Sequence, residues 1–377
     1  MASGRPITSA IERFEVSASG LDVRWDDGVA SEYPWLWLRD HAHDDATMHP
    51  VTLQRQLFTA GVAPDLRGIG AQVLDDDVWV TWIGDAPPSR LPIAFLARFR
   101  QPRPARTSVD IERVLWDGAL IADQWPTVSY ASVIDGDDGV AEWLRRVATY
   151  GFCIVEGAPA TVEASQDLIR RVGYIRETIF GGFWDFQADL SKADTAYTNL
   201  ELLPHTDGTY SHDAPGLQLL HCLAFDGTGG ESTMVDGFRI ADDLRRDEPD
   251  HYGVLSSVVV PGQYIGDGSH LMAARPVFRH DDTGDLVQVS FNNADRAAFL
   301  LPADEMTRFY DAMRAFEARA NDRRMQWRRL LSPGSAMLFD NWRVLHGRTA
   351  YTGHRHLCGG YVNHEDFESR LRLALAR

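Results

Sequence analysis

A series of short apolar segments, separated by turn residues, runs from residue 215 to the end of the chain and restricts the fold most strongly. Segments of this length, rich in β-branched and aromatic residues and bounded by Gly, Asp, Asn or Ser, are typical of antiparallel sheets. They read GLQLLHCLAF, ESTMVDGF, DLVQVSFNN, SAMLFDN and HLCGGYV. Because few helices separate them, the pattern favours a double-sheet jelly roll (a double-stranded β-helix) over a parallel α/β sheet.

Helical patterns interrupt these strands at a few places. Residues 302–331 form a long amphipathic segment with Asp304 as the expected N-cap. Its apolar positions at helical spacing are Met306, Phe309, Tyr310, Met313 and Phe316. Two earlier segments, DDGVAEWLRRVATY and EASQDLIRRVGY, predict further helices, the first capped by Asp. These helices are expected to pack on the sheets.

The first hundred residues have a different pattern, with short β-type segments and Asp, Gly and Pro turns. The segments LDVRWDDG, SEYPWLWLRD and DDVWVTWIG predict strands, with Asp27-Gly28 at a hairpin turn. A stretch rich in proline and charge follows and resembles a linker. We therefore predict a mainly β protein with α-helices: a small β-rich domain at 1–100, a linker at 101–110 and a jelly-roll catalytic domain at 111–377.

The net charge restricts the kind of partner. The 377 residues include 37 basic and 54 acidic side chains, which give a formal charge of -17. This charge argues against nucleic acid and anionic membranes as partners. A small cationic or zwitterionic ligand is compatible with it.

The cysteines and the N-terminal segment indicate a reducing compartment. Cys153, Cys222 and Cys358 are few, odd in number and far apart, so no disulfide framework is expected. The first 16 residues lack the apolar centre of a signal peptide, and no stretch approaches the roughly 20 apolar residues that span a bilayer. We expect a cytoplasmic protein.

Two histidines and an aspartate form a candidate metal site. His205 and Asp207 are two residues apart, so on an extended segment both side chains point the same way. About 140 residues later, His346 follows an apolar strand, and Arg355 and Tyr361 share one parity on the next strand. Two histidines and one carboxylate form the facial triad of non-haem Fe(II), which leaves coordination positions open. A nearby arginine suits the carboxylate of 2-oxoglutarate, whereas a zinc hydrolase with the same triad would have no use for it.

Several longer stretches resemble one enzyme family. They are RETIFGGFWDF, DTAYTNLELLPHTDGTY, GLQLLHCL, GTGG, VDGF, DNWRVLHGR and TGHRHLCGGY. They look like the carnitine-biosynthesis branch of the Fe(II)/2-oxoglutarate dioxygenases in the TauD-like superfamily, which comprises the trimethyllysine and γ-butyrobetaine dioxygenases. The resemblance extends over about 110 to 375, and more loosely over the N-terminal unit.

The resemblance implies roles for four residues. His205, Asp207 and His346 match the iron ligands of the family, and Arg355 matches its 2-oxoglutarate-binding arginine. Because the related halogenases replace the carboxylate with a small residue, Asp207 implies hydroxylation. The expected reaction uses O₂, converts 2-oxoglutarate to succinate and CO₂, and turns a C–H bond into an alcohol. The family also suggests ascorbate as a reductant and a homodimer.

Aromatic residues match the positions that hold a quaternary ammonium group in this family. They are Phe180, where a tyrosine is usual, Trp184, Tyr197 and Tyr361. Aromatic faces attract such cations, although the same residues are compatible with an ordinary core. Asp194 stands where γ-butyrobetaine dioxygenases have an asparagine, so it is expected to pair with an α-ammonium. Asn293, more than Asn292, is expected to bind the substrate carboxylate.

The sequence therefore predicts hydroxylation of free Nε-trimethyllysine at its β-carbon. The alternatives are γ-butyrobetaine or 2-trimethylaminoethylphosphonate as substrate, and, from another class, a non-catalytic betaine-binding protein. Family members often hold zinc through cysteines after the LRD motif, but this chain has none there. Zinc is therefore not expected at the remaining candidate ligands, which are His41, His43, Asp44 and His49.

Overall fold

The chain divides into two compact units, Met1–Arg106 and Thr107–Arg377. The structure is a computed structural model, and it describes residues 10–102, 109, 111–186, 199–266 and 268–376. Most of the predicted linker lies outside the described residues, at 103–108 and 110. Within the described parts of the chain, no helix is long and apolar enough to cross a membrane.

The first unit contains six strands, two short α-helices and one 3-10 helix (Thr59–Gly61) among its described residues. In chain order the strands and α-helices are β1 (Ile11–Val16), β2 (Gly20–Trp25), β3 (Ala30–Pro34), α1 (Trp35–Asp40), β4 (Gly68–Leu74), β5 (Asp77–Trp82), β6 (Ser89–Pro92) and α2 (Ile93–Arg98). They form two antiparallel three-stranded sheets, β1-β2-β3 and β4-β5-β6. Apolar residues from both sheets and both α-helices form one core, including Leu21, Trp25, Leu38, Val80, Trp82 and Leu96.

The predicted hairpin is confirmed, and one predicted strand is partly wrong. Gly28 has φ +84°, and the Asp27 carboxylate accepts a hydrogen bond from Val29 N at 3.1 Å between β2 and β3. The segment SEYPWLWLRD forms β3 only as far as Pro34, and its second half is the helix α1. Trp35 and Leu38 are buried at helical spacing there, so burial on one helical face outweighs the β propensity of the tryptophans.

The second unit contains the remaining described elements. They are α3 (Gly118–Ile121), β7 (Thr127–Ser129), α4 (Tyr130–Asp135), α5 (Asp137–Tyr150), β8 (Phe152–Glu156), α6 (Val162–Val172), β9 (Trp184–Phe186), β10 (Leu202–His205), β11 (Leu217–Gly229), β12 (Ser232–Asp236), α7 (Gly237–Asp247), α8 (Pro249–Ser257), β13 (Val260–Gly266), β14 (Ser269–Arg275), β15 (Phe278–His280), β16 (Leu286–Val289), α9 (Ala303–Ala320), β17 (Gln326–Arg329), β18 (Ala336–Asp340), β19 (Val344–Arg348), β20 (Tyr351–Val362) and α10 (His364–Leu375).

Two larger sheets form the centre of this unit. One has the order β10-β19-β12-β17, and the other has the order β7-β8-β18-β11-β20-β9. All neighbours in both sheets are antiparallel except β7 and β8. The pairs β13-β14 and β15-β16 form two additional hairpins. The unit is thus a mixed α/β structure with many strands, as the strand-rich sequence after residue 215 predicts.

The predicted helices form, but two of their predicted caps are wrong. Helix α5 begins at Asp137 with Gly136 as N-cap, and the Asp137 carboxylate accepts hydrogen bonds from Arg171 and Arg370. Helix α9 has Pro302 as N-cap, and Asp304 lies in its first turn. A negative charge there still interacts favourably with the positive end of the helix dipole.

The long amphipathic segment at 302–331, predicted to be helical, is also not one helix. Helix α9 ends at Ala320, and Gln326–Arg329 forms the edge strand β17 beside β12. Phe309, Met313 and Phe316 are buried in the core as expected, but Tyr310 is 43% exposed.

Candidate active site

The two predicted histidine ligands lie directly opposite each other on neighbouring strands. His205 ends β10, His346 lies in the middle of β19, and their backbones are register partners. Their rings are 4.4 Å apart between centroids. Asp207 follows just after β10 and lies between them, with Oδ1 3.4 Å from His205 Nε2 and Oδ2 3.5 Å from His346 Nε2. The strand pairing thus brings together residues that are 141 positions apart in the sequence.

Backbone contacts fix the position of Asp207. Its N–H donates to Asn341 Oδ1 at 2.8 Å, and Asn341 Nδ2 donates to Asp207 O at 3.1 Å and to Pro215 O at 2.9 Å. Gly208 then turns the chain with φ +71°, and a Cβ at this glycine would lie 2.5 Å from Pro215 Cδ. Asn341 is 1% exposed, so these hydrogen bonds are protected from water.

Hydrogen bonds orient the side chains of His205 and Asp207, and ring packing orients that of His346. His205 Nδ1 lies 2.8 Å from Leu203 O, which favours the tautomer that keeps a lone pair on Nε2. The hydroxyl of Tyr361 donates to Asp207 Oδ2 at 2.6 Å. His346 is 8% exposed and packs against Phe339, with 4.7 Å between ring centroids. The three side chains are therefore held with nitrogen and oxygen lone pairs facing a common point.

The protonation states of His346 and Asp207 suit metal ligands. Burial lowers the pKa of His346 to about 4, since the opposing effect of the Asp207 charge is smaller, so its imidazole is neutral near pH 7. For Asp207, burial alone would raise the pKa, but the imidazoles of His346 and His205 and the Tyr361 hydroxyl hold it well below its usual range. Burial would likewise lower the pKa of His205, but the Asp207 carboxylate raises it above its ordinary value, so a metal ion bound at this ring must displace a proton.

The donor set fits a divalent transition metal. One ligand atom from each of His205, Asp207 and His346 can be chosen so that all three lie within 4.8 Å of one another. Two imidazoles and one carboxylate with open positions are the donors of non-haem Fe(II) sites. Within the ranges that the structure describes, no second group of three or more His, Cys, Asp or Glu side chains converges in this way.

The four N-terminal candidates for zinc have other contacts. His41 stacks on Trp37 at 4.6 Å, and His49 Nδ1 accepts from Thr52 N at 3.1 Å. Asp44 accepts a hydrogen bond from Thr47 Oγ1 at 2.9 Å. His43 packs against Phe95 at 4.9 Å.

Arg355 lies on β20, on the same strand face as Tyr361 because the two are six residues apart. Its guanidinium lies over the ring of Tyr351 at 5.6 Å, and that of Arg348 lies over the same ring at 4.9 Å. Burial and the charge of Arg348 lower the pKa of Arg355 to about 10, so it remains a cation at neutral pH. Arg348, which the sequence analysis did not single out, is 6% exposed, so one buried and one partly buried cation share this region.

An aromatic cavity of about 200 Å³ lies beside the triad. Phe180, Tyr361, Gly208 and Tyr210 are among the residues that line it. Trp184 is 4% exposed and meets the Tyr361 ring edge-on, with 4.2 Å between centroids. The structure thus brings together three of the four predicted cage residues, while Tyr197 lies outside the described residues, as does Asp194.

The remaining predicted contact is not visible in the described structure. Asn293 is exposed, whereas the neighbouring Asn292 is partly buried and donates to Asp295 Oδ2 at 2.8 Å. Thr209, two residues after Asp207, donates to the same carboxylate oxygen at 3.4 Å. Asn292 is therefore connected to the chain segment of the triad, and Asn293 is not.

Sequence reasoning missed three residues of this region. Tyr210 lines the cavity and packs at a tilt against Tyr264, which in turn meets Phe180 edge-on, each at 5.3 Å between ring centroids. Tyr210 lies three residues after Asp207, so its closeness to the triad was a usable signal. Asn341 directly follows a buried strand and could have been suspected as a backbone anchor, but nothing in the sequence near Tyr264 indicates its place.

Comparisons with known proteins identify chains that are similar to this one. A chicken protein (Gallus gallus) named mitochondrial trimethyllysine dioxygenase is 35% identical, covering 96% of this chain and 87% of its own. A γ-butyrobetaine dioxygenase from Pseudomonas sp. strain AK-1 is 32% identical, covering 97% and 96%. The crystal structure of AAD-2 with Mn(II) and N-oxalylglycine is 12% identical, covers 67% of this chain and 98% of its own, and has a TM-score of 0.51, a likeness of fold alone.

A family model covers most of the second unit. The model of the taurine catabolism dioxygenase TauD, TfdA family matches residues 117–361, which include His205, Asp207, His346 and Arg355. The chain therefore belongs to the TauD/TfdA dioxygenase family.

Proposed function

We propose that this chain is an Fe(II)- and 2-oxoglutarate-dependent hydroxylase of free Nε-trimethyllysine, acting at the β-carbon. The observation that carries the proposal is the position of the triad beside an aromatic cavity, with the Asp207 carboxylate hydrogen-bonded to the cavity residue Tyr361. The 35% identity to a chicken protein named trimethyllysine dioxygenase supports the same substrate. The relatives and the fold also support a double-stranded β-helix built from the two large sheets.

The triad residues have the role of metal ligands in this proposal. His205, Asp207 and His346 hold Fe(II), and the neutral imidazole of His346 offers its lone pair without first losing a proton. Fe(II) held there would supply open coordination positions for 2-oxoglutarate and O₂, and the overall reaction would give succinate, CO₂ and one hydroxyl group on the substrate.

Arg355 has the role of anchor for 2-oxoglutarate. A buried guanidinium without a carboxylate partner among the described residues gains most from an incoming carboxylate, which it can bind through two parallel N–H···O bonds. Arg348 adds a second positive charge to this end of the site. Ascorbate as a reductant is part of the proposal and has no assigned residue.

The aromatic cavity has the role of holding the trimethylammonium group. Phe180, Trp184, Tyr361 and, by sequence, Tyr197 offer ring faces, each contributing about 0.5–2 kcal/mol. We propose that Asp194 pairs with the α-ammonium of the substrate. For the substrate carboxylate we keep Asn293 as the predicted partner, although Asn292 lies closer to the triad segment in the structure.

Two alternative substrates carry the same trimethylammonium group. The Pseudomonas relative supports γ-butyrobetaine as a second candidate substrate, and 2-trimethylaminoethylphosphonate is a third. A non-catalytic betaine-binding protein would keep the cavity but have no use for the triad. A homodimer and a cytoplasmic location also remain proposals, and the chicken relative is named mitochondrial.

The deciding experiment measures O₂ consumption and succinate formation with each of the three compounds. We expect turnover with trimethyllysine to exceed that with γ-butyrobetaine or 2-trimethylaminoethylphosphonate, which lack an α-amino group. We also expect turnover to require both Fe(II) and 2-oxoglutarate. Preference for either compound without an α-amino group would contradict the substrate assignment, and turnover without Fe(II) would contradict the proposed type of reaction. The Asp194→Asn variant is expected to shift preference toward γ-butyrobetaine, and an unchanged preference would remove Asp194 from the site.

A further inference from the structure

The hydroxyl group of Tyr361 has no part in the cage role of this residue. A cation is attracted by the face of an aromatic ring, which phenylalanine supplies as well, and Phe180 lines the same cavity without a hydroxyl. The Tyr361 hydroxyl instead donates to Asp207 Oδ2 at 2.6 Å. This hydrogen bond connects a wall of the substrate cavity to the carboxylate of the triad.

The fold fixes where this hydroxyl lies. Tyr361 is 8% exposed, and its ring is held edge-on against Trp184 at 4.2 Å between centroids. Its carbonyl accepts from Arg176 N at 2.8 Å, and its backbone pairs with Gln218 of β11. The hydroxyl therefore reaches Asp207 from a strand whose backbone and ring are both held by neighbouring elements.

The hydroxyl of Tyr361 prevents rotation of the Asp207 carboxylate. The Asp207 backbone is fixed by Asn341, at 2.8 Å and 3.1 Å, but these bonds leave the carboxylate free to rotate. A hydrogen bond from O–H to an ionised carboxylate is short and strong. It holds Asp207 with Oδ1 facing His205 at 3.4 Å and Oδ2 facing His346 at 3.5 Å.

We propose that Tyr361 is a positioning residue for the metal site, in addition to a wall of the substrate cavity. Its hydroxyl occupies lone-pair density on Asp207 Oδ2, so the carboxylate is directed to bind a metal through one oxygen. Ligation through one oxygen keeps three positions open at an octahedral ion, whereas two oxygens would fill one of them. This inference rests on the proposed Fe(II) site.

The test compares metal binding by wild type, Tyr361→Phe and Tyr264→Phe, without substrate or 2-oxoglutarate. Tyr361→Phe keeps the ring and removes the hydroxyl, and Tyr264→Phe makes the same change one ring further from the triad, against Phe180. Co(II) affinity is measured through its visible absorption and Mn(II) affinity by electron paramagnetic resonance. Loss of a hydrogen-bond partner of a ligand typically weakens metal binding about 10- to 100-fold.

We expect this weakening, with an altered Co(II) spectrum, in Tyr361→Phe, and wild-type affinity in Tyr264→Phe. Wild-type affinity in Tyr361→Phe would overturn the proposal. Equal weakening in both variants would also overturn it, because the cause would then be general packing of the cavity. A wild-type protein that binds neither ion would overturn the proposed function as well, whereas binding without any hydroxylation would leave this proposal standing alone.

Discussion

Arg343 and Arg355 are two largely buried arginines of the same unit with opposite surroundings. Arg343 is 1% exposed and donates to both Asp236 oxygens, at 3.1 and 2.8 Å, and to the carbonyls of Thr149 and Val114. Arg355 faces the ring of Tyr351, and no carboxylate among the described residues pairs with it.

The difference shows how a buried cation is used. Burying a charge is costly unless a partner compensates for it. Arg343 has its partners within the fold, where it connects the end of β12 to the start of β19, so its charge stabilises the structure. Arg355 lacks such a partner among the residues that the structure describes, and we infer that the ligand provides it.

The largest effect is expected from breaking the internal pair. Asp236→Asn leaves the Arg343 charge buried and uncompensated, which should lower the free energy of unfolding by about 3–5 kcal/mol. Urea denaturation measures this change. The control is Glu142→Gln, which breaks the exposed pair with Arg146 and should cost less than about 1 kcal/mol. A loss of similar size in both variants would contradict the structural role of Arg343.

Replacing Arg355 is expected to weaken binding of the co-substrate and to leave the stability of the fold unchanged. Arg355→Ala should raise the KM for 2-oxoglutarate about 100- to 1,000-fold, or about 3–4 kcal/mol, because the co-substrate carboxylate loses its buried partner. Its thermal unfolding temperature should match or exceed that of wild type, since no internal ion pair is lost. A destabilised variant with an unchanged KM would place Arg355 with Arg343 as a structural residue.

The sequence allowed candidate site residues to be named, but not the contacts that support them in the structure. The His205 and Asp207 spacing is a local pattern, and the resemblance supplied His346 and Arg355. The register that places His205 opposite His346 depends on pairing between distant strands, which no local pattern determines.

Contacts between residues distant in the sequence explain both the wrong predictions and the residues that were missed. The side-chain partners of Asn341 and of the Tyr361 hydroxyl lie 134 and 154 residues away, so they could not be read from sequence neighbours. Likewise, Asp137 was expected to cap its own helix but is used by arginines of other helices. Tertiary contacts thus decided the details where local propensity allowed more than one answer.

A third buried group, His221, avoids the cost of charge by remaining neutral. It is fully buried, and its Nδ1 lies 2.7 Å from Ser165 Oγ, which itself donates to Thr161 O. Burial lowers the pKa of His221 to about 4 from the ordinary 6.5. The unfolded chain therefore binds more protons between pH 6.5 and 4, and stability should fall as the pH falls through this window.

The expected loss from His221 is at most about 3 kcal/mol, at 1.36 kcal/mol per pKa unit. Denaturant unfolding of wild type and His221→Gln from pH 7 to 4 measures it, and the stability difference between the two should shift toward the variant as the pH falls. Parallel curves over the whole range would show that His221 does not bind the extra proton on unfolding.

The smallest effect tests the one described partner that Arg355 has. The ring of Tyr351 lies under both Arg355 and Arg348, at 5.6 and 4.9 Å, and each such contact contributes about 0.5–2 kcal/mol. Tyr351→Leu removes the ring and should raise the KM for 2-oxoglutarate about fivefold, or about 1 kcal/mol, because Arg355 is less well positioned before the ligand arrives. Tyr351→Phe keeps the ring and should retain the wild-type KM. If Phe and Leu raise the KM equally, the hydroxyl and not the ring face positions Arg355, and the contrast with the fully hydrogen-bonded Arg343 would be weaker than the structure indicates.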